Sequence, residues 1–224
     1  MINLTVKIAI DGPAGAGKST VAKKLAKLLG FTYIDTGAMY RAITLKVLRE
    51  NISLEDEERI VEVARKSDIS LDGERVFLDG EDVSEEIRKP IISQKVSVVS
   101  QIPEVREILV KKQRKIAEGK NVVMDGRDIG TVVLPDAQFK FFLTASLEER
   151  ARRRYEELKN KGTEVKYEEV LEEIKKRDSL DSGRKTSPLT IPEGAILIDT
   201  TDLTEEEVVE RVYEAIRKNT KGEI

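Results

Sequence analysis

The chain has 224 residues, with 42 acidic and 39 basic side chains and a formal net charge of −3. That balance excludes a protein that coats nucleic acid by charge alone, and the length allows one sizeable α/β domain, or one domain with a small insert. Cysteine and histidine are absent, so disulfides, thiolate nucleophiles, Cys- or His-bound zinc and every Ser-His-Asp triad are excluded.

Chemistry must then rest on carboxylates, Lys, Arg, hydroxyls and backbone amides. No apolar run approaches the ~20 residues of a membrane span, and Met1–Leu4 does not open like a secretory signal. A soluble cytoplasmic protein is expected, a monomer that contacts neither membrane nor nucleic acid.

Val6–Ile10 is a short apolar run ending at Asp11 and reads as a buried parallel strand. A helix is predicted over Lys18–Leu29, where apolar side chains recur at helical spacing before Gly30. Thr32–Ile34 is a second strand and Ala38–Glu50 a helix. Ser53 and Asp56 resemble a capping box opening a helix to about Lys66. The texture then changes. Asp72-Gly73 and Asp79-Gly80 punctuate short β-prone runs over Ile69–Val83, which reads as a small antiparallel meander.

Helices follow at about Ile91–Ser100 and Pro103–Ala117. Val122–Met124 and Phe139–Leu143 are the third and fourth core strands. Ser146 caps a helix to about Asn160, Glu168–Arg177 is another, and Arg177–Arg184 reads as a mobile loop. Ala195–Ile198 is the fifth strand, Thr204 caps a helix to about Lys218, and 219–224 reads as a frayed tail. Five apolar strands alternating with helices give an α/β fold, a parallel sheet covered on both faces. The expected division is a core of 1–66 and 91–218, an insert at 67–90, and a lid near 178–188.

Gly12-Pro13-Ala14-Gly15-Ala16-Gly17-Lys18-Ser19 fits G-x-x-x-x-G-K-[ST], with a strand before it and a helix after it. The glycines let successive N–H groups turn toward one anion, and the helix N-terminus adds partial positive charge. Lys18 is placed to neutralise the β- and γ-phosphates of a nucleoside triphosphate, and the Ser19 hydroxyl to ligate Mg²⁺. The motif establishes nucleotide binding and leaves the acceptor open. Arg41, Arg127 and Arg184 all fall in loops or first turns on the same expected sheet edge, where several phosphates must converge.

At this point the chain resembles the bacterial cytidylate kinase family, the (d)CMP kinases among nucleoside monophosphate kinases. The resemblance is carried by Ile10–Lys18, Asp35-Thr36-Gly37-Ala38-Met39-Tyr40-Arg41, Gly80–Ser84, Val105-Arg106-Glu107 with Gln113-Arg114, Asp125-Gly126-Arg127-Asp128-Ile129-Gly130-Thr131-Val132-Val133, and Arg177-Asp178 with Asp181 and Arg184. It covers the chain to about Lys218. It implies a P-loop NTPase three-layer fold, a five-stranded parallel sheet and a small antiparallel β insert that binds the nucleoside monophosphate.

It further implies that Arg41, Arg127 and Arg184 grip the acceptor phosphate of CMP or dCMP. Ser97, Arg106 and Asp128 would read the cytosine edge with Thr36 nearby, and Arg177 and Asp181 would hold the sugar. Gly12 through Thr20, with Arg153, would bind ATP. Many relatives carry Gly-Lys-Gly-Thr where this chain has Gly17-Lys18-Ser19-Thr20, and Leu180 stands where some have a lid arginine; Arg150, Arg153 or Arg154 would then supply that charge.

Three other readings stay open on the residues alone. One is a P-loop kinase for AMP, UMP, shikimate or dephospho-coenzyme A. Another is a GTPase-like switch, although Phe142–Ser146 carries no guanine-specific element. The third is a nucleic-acid binder using the basic run Arg150–Arg154.

Overall fold

The computed structural model describes residues 5–220; the readings made at Met1–Leu4 and at 221–224 lie outside them. In chain order the core begins β1 (Lys7–Asp11), α1 (Lys18–Leu29), β2 (Thr32–Asp35), α2 (Thr36–Arg49) and α3 (Glu57–Lys66). The insert strands β3 (Ile69–Asp72), β4 (Arg75–Leu78) and β5 (Glu81–Asp82) follow, with a 3-10 turn at Glu86–Arg88. Then come α4 (Pro90–Val99), α5 (Pro103–Ala117), β6 (Val122–Gly126), a π turn at Ile129–Val133, β7 (Phe139–Thr144), α6 (Leu147–Asn160), α7 (Tyr167–Ser182), β8 (Ile196–Asp199) and α8 (Glu205–Thr220).

The main sheet has the order β2-β6-β1-β7-β8, and all its pairings are parallel. Successive residues of β1 face opposite layers, as the pleat requires. Ile8 and Ile10 join Val21 and Leu25 of α1 and Val208, Val212 and Ile216 of α8. Ala9 faces the other way, with Met124, Ile34, Val110 and Ala117. That is the three-layer fold expected.

Register decides where the site lies. Asp11 is paired with Gly126, while Ile10 and Asp35 each pair with Asp125. The carboxyl ends of β1, β2 and β6 therefore finish at one edge, where open α/β sheets bind ligands. The meander is antiparallel, β3-β4-β5. Its Val76 and Leu78 are buried in one cluster with Met39, Ile43, Ile60, Ile92, Val96 and Leu109. The insert thus shares its core with α2, α3, α4 and α5.

Three expectations change. The cap of α3 is Asp56, whose side chain accepts from Arg59 N–H at 3.2 Å; Ser53 caps only a preceding turn through Glu55 N–H. The Arg177–Arg184 stretch is helical as far as Ser182. Val170 and Ile174 anchor α7 on Ala151 and Leu158 of α6, and no Gly or Pro interrupts the helix before Gly183. Asn219 belongs to α8, its side chain donating to the Ala215 carbonyl. No helix among the described residues is long and apolar enough to cross a membrane.

Candidate active site

The phosphate loop leaves β1 at Gly12, whose φ is +147°. A Cβ there would meet the Leu143 carbonyl oxygen at 1.9 Å, so only glycine lets the loop turn this close to β7. Lys18, 5% exposed, opens α1 and folds back to donate to the Pro13 carbonyl at 2.7 Å. Burial, then the nearby Arg127, holds its ammonium well below the ordinary range. A polyanion placed in the loop would offset both by favouring the charged ammonium.

Ser19 donates to Asp125 Oδ2 at 2.7 Å, and Tyr33 donates to Asp125 Oδ1 at 2.8 Å. Asp125 is buried at the end of β6. Burial, then the Asp35 carboxylate, pushes its carboxyl up to about 6. A hydroxyl and a desolvated carboxylate side by side suit a hard divalent cation, which takes oxygen ligands and supplies the missing positive charge. Among the described residues no cluster of three or more Asp or Glu forms a closed metal cage.

A cleft of about 680 Å³ runs from this loop to α4, α5 and the end of α7. Lys18, Arg41, Arg106, Arg127, Arg177 and Arg184 all line it. Asp35 caps α2 through Ala38 N–H and takes Arg41 at 2.8 Å. Burial would raise the Asp35 carboxyl, but Arg41, the Ala38 N–H and Arg88 together outweigh it and hold the group below the ordinary range. Asp181 accepts from Arg127 Nε at 2.8 Å and from Arg184. Arg177 is pushed down to about 10 by burial and then by Arg127.

At the other wall Arg106 and Asp128 meet at 2.5 Å, both nearly fully buried. Arg106 also donates to the Ser100 carbonyl at 3.1 Å and lies 5.3 Å from the Tyr40 ring centroid, within cation–π range. Thr36 is buried beside them, its hydroxyl donating to the Asp125 carbonyl at 2.7 Å. The structure therefore brings Thr36, Arg41, Arg106, Arg127, Asp128, Arg177, Asp181 and Arg184 around one cleft with Ala14, Gly15, Gly17, Lys18, Ser19 and Thr20.

Ser97 is buried on α4 behind this wall and is not among the lining residues; Ser93, Val96 and Ser100 are. Arg153 lies above the loop, with Nη1 4.0 Å from where a Cβ on Gly17 would stand. It is held by Glu149 and the Thr200 hydroxyl. Arg154 also lines the cleft. Arg150 turns inward to the Ala14 and Ala145 carbonyls and Asp178, so the arginines of α6 that line the cleft are Arg152, Arg153 and Arg154.

Sequence reasoning missed Asp125, Tyr33, Tyr40 and Arg88, all at or beside the cleft. Asp125 had a usable signal, as the first carboxylate after the apolar run Val122–Met124. Arg88 arrives from the 3-10 turn of the insert and had none.

A family model for cytidylate kinase matches residues 8–218. A cytidylate kinase from Caldicellulosiruptor bescii is 56% identical over 223 residues, covering 98% of this chain and 99% of that protein. One from Alkaliphilus oremlandii is 58% identical over 212 residues, covering 95% and 98%. In fold alone, the structure is similar to a gluconokinase from Sinorhizobium meliloti, with TM-score 0.50, 15% identity, and coverage of 96% of this chain and 94% of that one. With the model matched across the body of the chain and relatives more than half identical over nearly their full length, the chain belongs to the cytidylate kinase family.

Proposed function

We infer that the chain transfers the γ-phosphoryl group of ATP to CMP or dCMP, giving ADP and CDP or dCDP. The observation that carries this reading is the convergence of Lys18, Arg41, Arg127 and Arg184 on one cleft. Two nucleotides that repel each other can meet end to end only where such fixed charge offsets their phosphates.

The acceptor oxygen is already anionic, so no general base is needed, in keeping with a chain that has no histidine. The residues' work is to align the two phosphates and to balance charge as the phosphoryl group moves between them. Lys18 and the loop amides hold the donor, with Arg153 above. Arg41, Arg127 and Arg184 hold the acceptor phosphate, and Asp181 fixes the last two while facing the sugar with Arg177. Ser19 and Asp125 would hold Mg²⁺, a hard cation that favours oxygen ligands. Bound there, it would neutralise charge on the donor phosphates.

Asp128 would accept from the cytosine amino group and Arg106 would donate to the ring acceptors, with Thr36 and Ser97 supporting this wall. Uracil would set a carbonyl oxygen against the Asp128 carboxylate, so the pair selects by repulsion as well as attraction. Water must be kept from the donor. The end of α7 and the 183–188 stretch would close as a lid, and the 67–90 insert, with Arg88, would follow the acceptor.

The direct test is a coupled assay with Mg-ATP and a panel of CMP, dCMP, UMP, AMP, GMP and shikimate. CMP or dCMP should give the highest kcat/KM. A preference for AMP or shikimate would overturn the reading.

A further inference from the structure

We propose that Asp11 is a positioning residue for acceptor recognition, tying the turn that carries Arg127 and Asp128 to the root of the phosphate loop. The proposal rests on the CMP-kinase reading of the cleft. Asp11 is the last residue of β1 and immediately precedes Gly12. Its side chain is fully buried and faces the π turn. One carboxylate oxygen accepts from Ile129 N–H and the other from Gly130 N–H, both at 2.7 Å.

Those two amides need such a partner. They open the π turn Ile129–Val133, and the first amides of a helical turn have no acceptor within it. The Val132 and Val133 amides donate to the Asp128 carbonyl, and the Leu134 amide to the Ile129 carbonyl. Ile129 and Gly130 are buried, so without Asp11 both N–H groups would be stranded away from water. The approach is close: a Cβ on Gly130 would lie 3.3 Å from Asp11 Oδ2 and 2.8 Å from Pro192 Cγ.

The chain leaves the sheet where Asp11 is paired with Gly126. Arg127 and Asp128 are the next two residues, and the two amides just beyond them are tied back to β1 by Asp11. Asp128 sits at φ −144°, ψ 27°, outside regular helix or strand, so the anchor behind it fixes where its carboxylate meets Arg106. Burial raises the Asp11 carboxyl to about 6, so at neutral pH it is ionised with both oxygens free to accept. Asn at this position keeps the shape but turns one acceptor into a donor that faces an N–H.

The test is steady-state kinetics of the full chain and its Asp11→Asn variant, varying CMP, UMP and ATP separately. Asp11→Asn should raise the KM for CMP on the order of tenfold to a hundredfold, the scale of one mispaired buried amide. It should also narrow the CMP-over-UMP preference and leave the KM for ATP within about twofold. An equal rise in the ATP KM, or a lowered melting temperature with both KM values unchanged, would overturn the proposal. If Asp11→Asn does not fold, Asp11→Glu keeps both acceptors but displaces the turn, and the same split between CMP and ATP decides. A wild-type chain without CMP turnover would instead remove the underlying functional reading.

Discussion

Arg106 of α5 and Asp128, just after β6, form a 2.5 Å ion pair that is almost wholly shielded from water. Desolvating two charges is costly, and the Arg106 Nε remains without a hydrogen-bond partner. Stability alone therefore does not account for the pair, which suits the proposed role in reading the base. Asp128→Ala should lower stability by about 3–5 kcal/mol, because it leaves the Arg106 charge buried and unpaired. It should also erase the preference for CMP over UMP. An Arg106→Met, Asp128→Leu double variant should recover most of the stability and none of the selectivity. Urea unfolding with CMP/UMP kcat/KM ratios checks both, and a double variant that still prefers CMP would reject the role.

Asp181 gives a pH signature. Burial would raise its carboxyl, but Arg127, Arg184 and Arg177 outweigh burial and hold it down at about 2, against an ordinary 3.8. A carboxylate with a depressed folded value adds stability above its unfolded value and loses it as pH falls through the folded one. The contribution, about 2 kcal/mol at neutral pH, should be complete above roughly pH 4–5 and fade toward pH 2. The stability gap between wild type and Asp181→Asn should therefore be wide at pH 7 and should close in acid. A gap of constant size would show that the arginines do not govern this carboxyl.

Much of this arrangement was legible in the chain itself. Ile8 and Ile10 declared a buried strand, Gly12–Ser19 declared the phosphate loop, and the charges of Arg41 and Arg127 fell just beyond strand ends. A parallel sheet with helical crossovers must bring those ends together. The Arg106–Asp128 contact was accessible only through the family resemblance, since it joins residues 22 positions apart on different elements. Arg150 shows a limit of local reading: four arginines in one basic helical run look alike in sequence, and only tertiary packing turns one inward. The same applies to Arg177–Ser182, whose charges suggest a loop until α6 offers Val170 and Ile174 a surface to cover.

Arg177 shows the cost of gathering like charges. It is half-buried, its Nε has no hydrogen-bond partner, and it is pushed down to about 10 by burial and Arg127. Arg177→Met should stabilise the ligand-free protein on the order of 1 kcal/mol, or 2–4 °C in melting temperature for a chain of this size. Turnover of CMP should fall at the same time. Saturating ATP and CMP should then raise the melting temperature of the wild type more than that of the variant, since bound phosphates relieve the repulsion only where the charge is present. An unchanged or lower ligand-free melting temperature would count against this account.

Arg150 joins the phosphate loop to the end of α7. Its guanidinium donates to the Ala14 carbonyl at 3.1 Å and the Ala145 carbonyl at 3.0 Å, and pairs with Asp178 at 2.7 Å. Its backbone also lies against Gly15, where an added Cβ would meet the Arg150 carbonyl at 3.0 Å. One planar, permanently charged group thus serves three acceptors on three segments, which a lysine ammonium cannot reproduce with the same directions. Arg150→Met strands two carbonyls and should cost about 1–3 kcal/mol of stability. It should also raise the KM for ATP more than that for CMP, because the loop that loses its brace holds the donor. Arg150→Lys should restore little of either. Melting curves and the two KM values check this, and full rescue by lysine would mean that charge, rather than the fixed geometry of the guanidinium, holds the loop to the helix.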